Sequence, residues 1–139
     1  TLLLNQSPIN IESSSLEIID GKKIAIFEGQ VRVNQEDITI SSNKLELSYA
    51  FNSSSEDINI KKIVCTGNVL IEFDNQSVTS ESAEYDLESN QIILQNDVII
   101  SKDEGNAIKA EKVIIDLDTM RIKMDSSDRV QAFITPPKR

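Results

Sequence analysis

The chain has 139 residues, 39% hydrophobic and 27% charged, a balance that fits one globular domain with its own core and argues against a disordered chain. Its formal net charge of -9 sets the surface as a whole against nucleic acid and anionic membranes, whose capture relies on Lys and Arg. No apolar run approaches the ~18 residues of a helical membrane span.

Taken in chain order, the sequence alternates with period two almost throughout. After Pro8, Ile9 and Ile11 interleave with Asn10 and Glu12, and Leu16 and Ile18 flank Glu17. Asp20–Gly21 reads as a turn. Val31 and Val33 then flank Arg32, a second turn falls at Glu36–Asp37, and Ile38 and Ile40 flank Thr39. Leu45, Leu47, Tyr49 and Phe51 continue in one phase, separated by Glu46, Ser48 and Ala50. Turn residues at 52–55 precede the run through Ile63, Cys65, Val69, Ile71 and Phe73. Asp74–Asn75 separates this from Ala83, Tyr85 and Leu87, and Ser89–Asn90 from the next strand. Glu104–Gly105–Asn106 leads to Val113, Ile115 and Leu117; Asp118–Thr119 leads to Met120, Ile122 and Met124. Successive side chains of a strand point to opposite faces, so each run buries one face and wets the other. Helical spacing is missing from every comparable window, and prolines avoid the runs, as an all-β chain requires.

An internal repeat organises these strands. Phe27–Glu28–Gly29–Gln30–Val31–Arg32–Val33 matches Cys65–Thr66–Gly67–Asn68–Val69–Leu70–Ile71, and Leu94 to Ile100 is a weaker copy with Asn96 in place of glycine. Each copy is followed by a turn and a second run, beginning at Ile40, Val78 and Ile108. A repeated strand–turn–strand unit predicts stacked hairpins, each burying its face against its neighbours. Gly29 and Gly67, inside strands, are expected to mark bulges where the sheet curves. Residues 1–139 are read as a single domain with its patterned core at about 7–125. The tail, 126–139, is poorly patterned and is either flexible or edge-forming.

The chemistry available argues against catalysis. The chain has no His, which removes the commonest general base and metal ligand, and its four glycines build neither a nucleophile elbow nor a phosphate loop. A carboxylate pair is enough for a glycosidase. Here Glu28, Glu46, Glu72, Glu84, Asp86 and Asp116 fall between inward apolar residues, on the expected solvated face. Asp116 with Asp118 makes no convincing metal site, and no cofactor is implied. Cys65 is alone, so no intrachain disulfide forms, and its place in an apolar run marks it as a small buried hydrophobe.

Pro8–Ile9–Asn10–Ile11–Glu12–Ser13, then Leu16, then Ala25–Ile26–Phe27–Glu28–Gly29–Gln30–Val31, resembles the LptA/OstA-like family. Ile40 to Leu45, Gly67–Asn68–Val69 and Tyr85–Asp86–Leu87 also resemble family positions, so the likeness covers roughly residues 7–125. Ser42 stands where alanine is common, and Tyr49 where a basic residue occurs in relatives, so no ionic contact to a lipid head group is carried over. The resemblance implies an elongated, twisted β-jellyroll of two antiparallel sheets in a slightly open V. It further implies a periplasmic protein that binds lipopolysaccharide acyl chains inside and bridges end to end with itself. Its other partners would be an inner-membrane transport complex and an outer-membrane translocon. The implied lipid contacts are Ile9 and Ile11 near the entrance, then Ile71, Phe73, Tyr85 and Leu87. Three alternatives stay open: a periplasmic domain of either membrane partner, a closed structural β-repeat module, and a carbohydrate-active enzyme.

Overall fold

The computed structural model describes residues 8–51, 57–102 and 105–136. The turn expected at 52–55, the Glu104 position and Pro137 to Arg139 lie outside them. Among the described residues ten strands follow one another, with a short 3-10 turn at Asp20–Lys22: β1 (Asn10–Glu12), β2 (Ser15–Ile19), β3 (Ile24–Gln35), β4 (Ile38–Phe51), β5 (Ile58–Phe73), β6 (Gln76–Asp86), β7 (Gln91–Ser101), β8 (Ala107–Asp116), β9 (Arg121–Asp125) and β10 (Gln131–Phe133). β3 to β8 are sequential antiparallel neighbours, as short connections demand. The short strands finish the two edges: β1 and β2 pair with different halves of β3, and β10 and β9 with different halves of β8.

The runs that alternation marked as separate strands are therefore halves of single long ones. The ladder breaks register along one seam, between Glu28 and Val31, Ser41 and Lys44, Thr66 and Val69, Thr79 and Ser82, and Gln95 and Val98. At this seam the three repeat copies place two left-handed residues in succession: Gly29–Gln30, Gly67–Asn68 and Asn96–Asp97. Such bulges bend a strand and sharpen its twist. The two layers of this jellyroll are thus one hydrogen-bonded sheet creased in the middle. One layer runs from β1 to β10, the other from β2 to β9.

Sequence chemistry holds the crease. On the strands facing the bulges, the buried hydroxyls of Ser42 and Ser80 donate to the carbonyls of Lys44 and Ser82, each at 3.0 Å. The matching position in β8 is Ala110, which has no hydroxyl. There the tail supplies one, and Ser126 Oγ accepts from the Glu111 N–H at 2.9 Å. The tail then crosses to the other layer, adds β10 to Ala107–Lys109, and donates its Thr135 N–H to Asn106 Oδ1 at 2.6 Å.

Both layers contribute to one core along the crease. Val31, Val69 and Val98 meet Leu45, Leu94 and Val113, all at most 1% exposed. Burying each such side chain is worth about 1.5–3 kcal/mol relative to leaving it in water. Two strand ends fall earlier than alternation implied. Leu87 and Leu117 are in turns, because Asp86 Oδ1 accepts from the N–H groups of Glu88 and Ser89, and Asp116 Oδ1 from those of Asp118 and Thr119. A carboxylate that bonds its own following backbone closes a turn and ends the ladder.

Candidate functional site

Away from the crease the layers diverge around a cavity of about 210 Å³. One wall comes from the β1–β10 layer, with Ile9, Ile11, Val33, Ile40 and Ile71. The facing wall comes from the β2–β9 layer, where Leu47, Ile63 and Tyr85 stand in one ladder row and Ile60 and Ile92 flank them. Aliphatic side chains dominate both walls, so the space offers dispersion and desolvation and very little hydrogen bonding.

The polar groups at its margin are occupied. Tyr85 donates its phenol to Asn90 Oδ1 at 3.3 Å, and Asn90 in turn donates to Asp118 Oδ1 at 2.8 Å, tying the β6–β7 turn to the β8–β9 turn. Burial holds the Tyr85 phenol above its ordinary value. Glu84 reaches the border of the cavity while its carboxylate pairs with Lys62 at 3.6 Å. Gln35, only 5% exposed, adds one amide to the wall.

Cys65 also borders the cavity and is 3% exposed. Burial pushes its thiol up to about 11, against a smaller lowering by the hydrogen bond with Ser42. A thiol that resists ionisation is a poor nucleophile. The unfolded chain loses this proton near 9 and the folded one near 11, so the stabilising contribution is complete below pH 9. It falls as pH rises between these values. Stability is expected to drop across that alkaline window in urea titrations, and Cys65→Ala is expected to remove that part of the drop.

Of the six residues singled out as lipid contacts, Ile9, Ile11, Ile71 and Tyr85 meet at the cavity. Phe73 and Leu87 do not. Phe73 is the last residue of β5, opposite Gln76, and Leu87 lies in the turn after β6. The facing wall of Leu47, Ile60, Ile63 and Ile92 was missed. The phase of Leu47 and Ile63 was visible, but phase alone does not tell a core position from a cavity wall, and Ile60 leaves that phase through the register shift between the Ser48 and Tyr49 rungs. Among the described residues no group of three His, Cys, Asp or Glu side chains is placed to hold a metal ion.

A creased antiparallel sheet, open at both edges and enclosing an aliphatic cavity, defines a jellyroll scaffold that matches a solved structure. That structure is LptH from Pseudomonas aeruginosa, described as the LptA-homologous periplasmic component of the lipopolysaccharide transport device. The similarity has a TM-score of 0.76 at 20% identity and covers 94% of this chain and 97% of that one. An uncharacterized protein of Rhizobium meliloti (strain 1021) is 28% identical over 141 aligned residues, covering 99% of this chain and 76% of the relative. The model of the LptA/(LptD N-terminal domain) LPS transport protein family matches residues 10–121. The chain belongs to that family.

Proposed function

We propose that this chain is a non-catalytic periplasmic carrier that takes acyl segments of lipopolysaccharide between its layers and passes them along an end-to-end bridge. The bridge would run from an inner-membrane transport complex to an outer-membrane translocon. The observation that carries this reading is the aliphatic cavity, walled from both layers and continuous with the core. Each methylene buried there contributes about 0.8 kcal/mol, so apolar contact suffices for binding despite the net charge of -9.

The test uses the strand phase of β1, where Ile11 pairs with Val33 on the cavity side and Asn10 is exposed. A photo-crosslinking side chain at Ile11 is expected to capture lipopolysaccharide, and one at Asn10 to capture none. Equal capture at both positions, or at neither in folded protein, would leave a closed β-repeat module as the better account.

The end-to-end part of the reading is supported by the two edges of the β2–β9 layer. Neither β2 nor β9 has an outer ladder partner among the described residues, and both present apolar side chains inward. Leu16 and Ile18 are 52% and 62% exposed at one edge; Ile122 is 53% exposed at the other. On the outer face Glu17 marks the first edge and Arg121 and Lys123 the second. Such a heterologous contact builds open chains. Glu17→Lys is expected to shorten these assemblies in light scattering at low salt by weakening an exposed pair worth about 0.2–1 kcal/mol. Mixing it with Lys123→Glu protein should restore them, and unchanged assembly in every mixture would refute this pairing of edges.

A further inference from the structure

β4 and β5 are the longest strands, at 14 and 16 residues, and they outrun their neighbours. The last β3 residue paired with β4 is Ile24, opposite Ser48, and the last β6 residue paired with β5 is Asp86, opposite Lys62. Beyond those rungs β4 and β5 continue to pair with each other, Tyr49 with Ile60, Ala50 with Asn59 and Phe51 with Ile58. Directly opposed residues share a face. Along β4 that face runs from Leu47, in the cavity wall, through Tyr49 to Phe51. Along β5 it runs from Ile63 to Ile60, both in the wall, and on to Ile58. The register shift between the Ser48 and Tyr49 rungs is what keeps Ile60 on the cavity side.

This overhang is apolar, ordered and open to water. Phe51 is 49% exposed and Ile58 60%. The Phe51 ring is held edge-on to Tyr49 at 5.6 Å and lies beneath the Lys23 ammonium at 4.8 Å. The cavity it continues has about 210 Å³. For scale, a dry apolar cavity of about 150 Å³ accommodates benzene. The enclosed space therefore takes a segment of an alkyl chain and leaves the rest outside.

We propose that the Tyr49–Phe51 and Ile58–Ile60 overhang is the outer part of the acyl site, and that it carries the length of chain emerging from the cavity. The proposal rests on the reading that the cavity takes acyl chains. It assigns a function to the exposed apolar side chains of Phe51 and Ile58.

The experiment titrates the full chain with octyl, decyl, dodecyl and tetradecyl maltoside below their micelle concentrations, by calorimetry. A fully buried methylene raises affinity by up to about fourfold, and one lying on an open strip by about twofold. From decyl to tetradecyl the native chain is expected to gain on the order of tenfold. A Phe51→Ser, Ile58→Ser variant should bind the octyl compound as the native chain does and lose that later gain, to within about twofold. Identical length dependence in the two proteins would overturn the overhang proposal while leaving the cavity reading intact. Failure of the native chain to bind any member of the series would overturn both. If the variant keeps the full length dependence and loses self-association, the strip belongs to a second copy of the chain, and the proposal also falls.

Discussion

Replacing Gly67 with alanine is expected to lower the unfolding free energy by about 3 kcal/mol, seen as a fall in the urea midpoint without a change in slope. Gly67 has a φ of +82°, in the left-handed region that side chains with a Cβ rarely adopt. A Cβ there would also stand 2.5 Å from Asn43 Nδ2 and 2.9 Å from Asn43 Cβ, on the adjoining strand of the crease. Backbone strain contributes about 1–3 kcal/mol and the collision a similar amount. The two causes separate in a double-mutant cycle. Asn43→Gly, which removes both the amide and the Cβ, should relieve the steric part in the Gly67→Ala background and leave the conformational part. Gly21→Ala is the control, since a Cβ at that position meets nothing within 4 Å. Because small domains are stable by only about 5–15 kcal/mol, this loss is a large share of the total. A near-neutral Gly67→Ala would mean that the crease does not depend on this bulge.

Ile63→Asp is expected to weaken lipopolysaccharide binding by at least about a hundredfold, roughly 2.7 kcal/mol. Ile63 sits between Leu47 and Tyr85 in the cavity row, so a carboxylate there faces the space an acyl chain would fill. Bringing an alkyl segment against it strips its water and returns no hydrogen bond. Binding should recover in part as pH falls and the introduced carboxyl takes up a proton. Thr66→Asp, on the exposed outer face of the same strand beside Lys44, should bind as the native chain does. Loss of binding in both variants, or in neither, would contradict a lipid-lined interior.

Much of this architecture was legible residue by residue. The phase of Leu45, Leu47 and Tyr49 against Glu46 and Ser48 follows from the two-residue period of a strand and survives in the structure as the inward face. The repeat located the bulges, because Gly29 and Gly67 occupy positions where a strand needs a left-handed backbone. Asn96 stands at the third such position with a φ of 70°, and asparagine is among the few other residues that tolerate it. The end of β6 was harder to read. Leu87 keeps the apolar phase, yet the side chain of Asp86 captures the next backbone N–H groups and stops the strand one residue earlier.

The sequence by itself determined the all-β class, the inward phase of most strands, the bulges at Gly29 and Gly67 and the family likeness, all properties of short stretches of chain. Only the tertiary structure decided that the runs join into long strands creased into one sheet, since the pairing joins residues far apart in sequence. It also decided which inward residues fill the core and which line the cavity. Leu94 and Ile92 share one strand and one phase, but Leu94 is 1% exposed beside the crease and Ile92 is only half-buried where the layers part. The distance to the opposite layer separates them, and no local pattern encodes that distance.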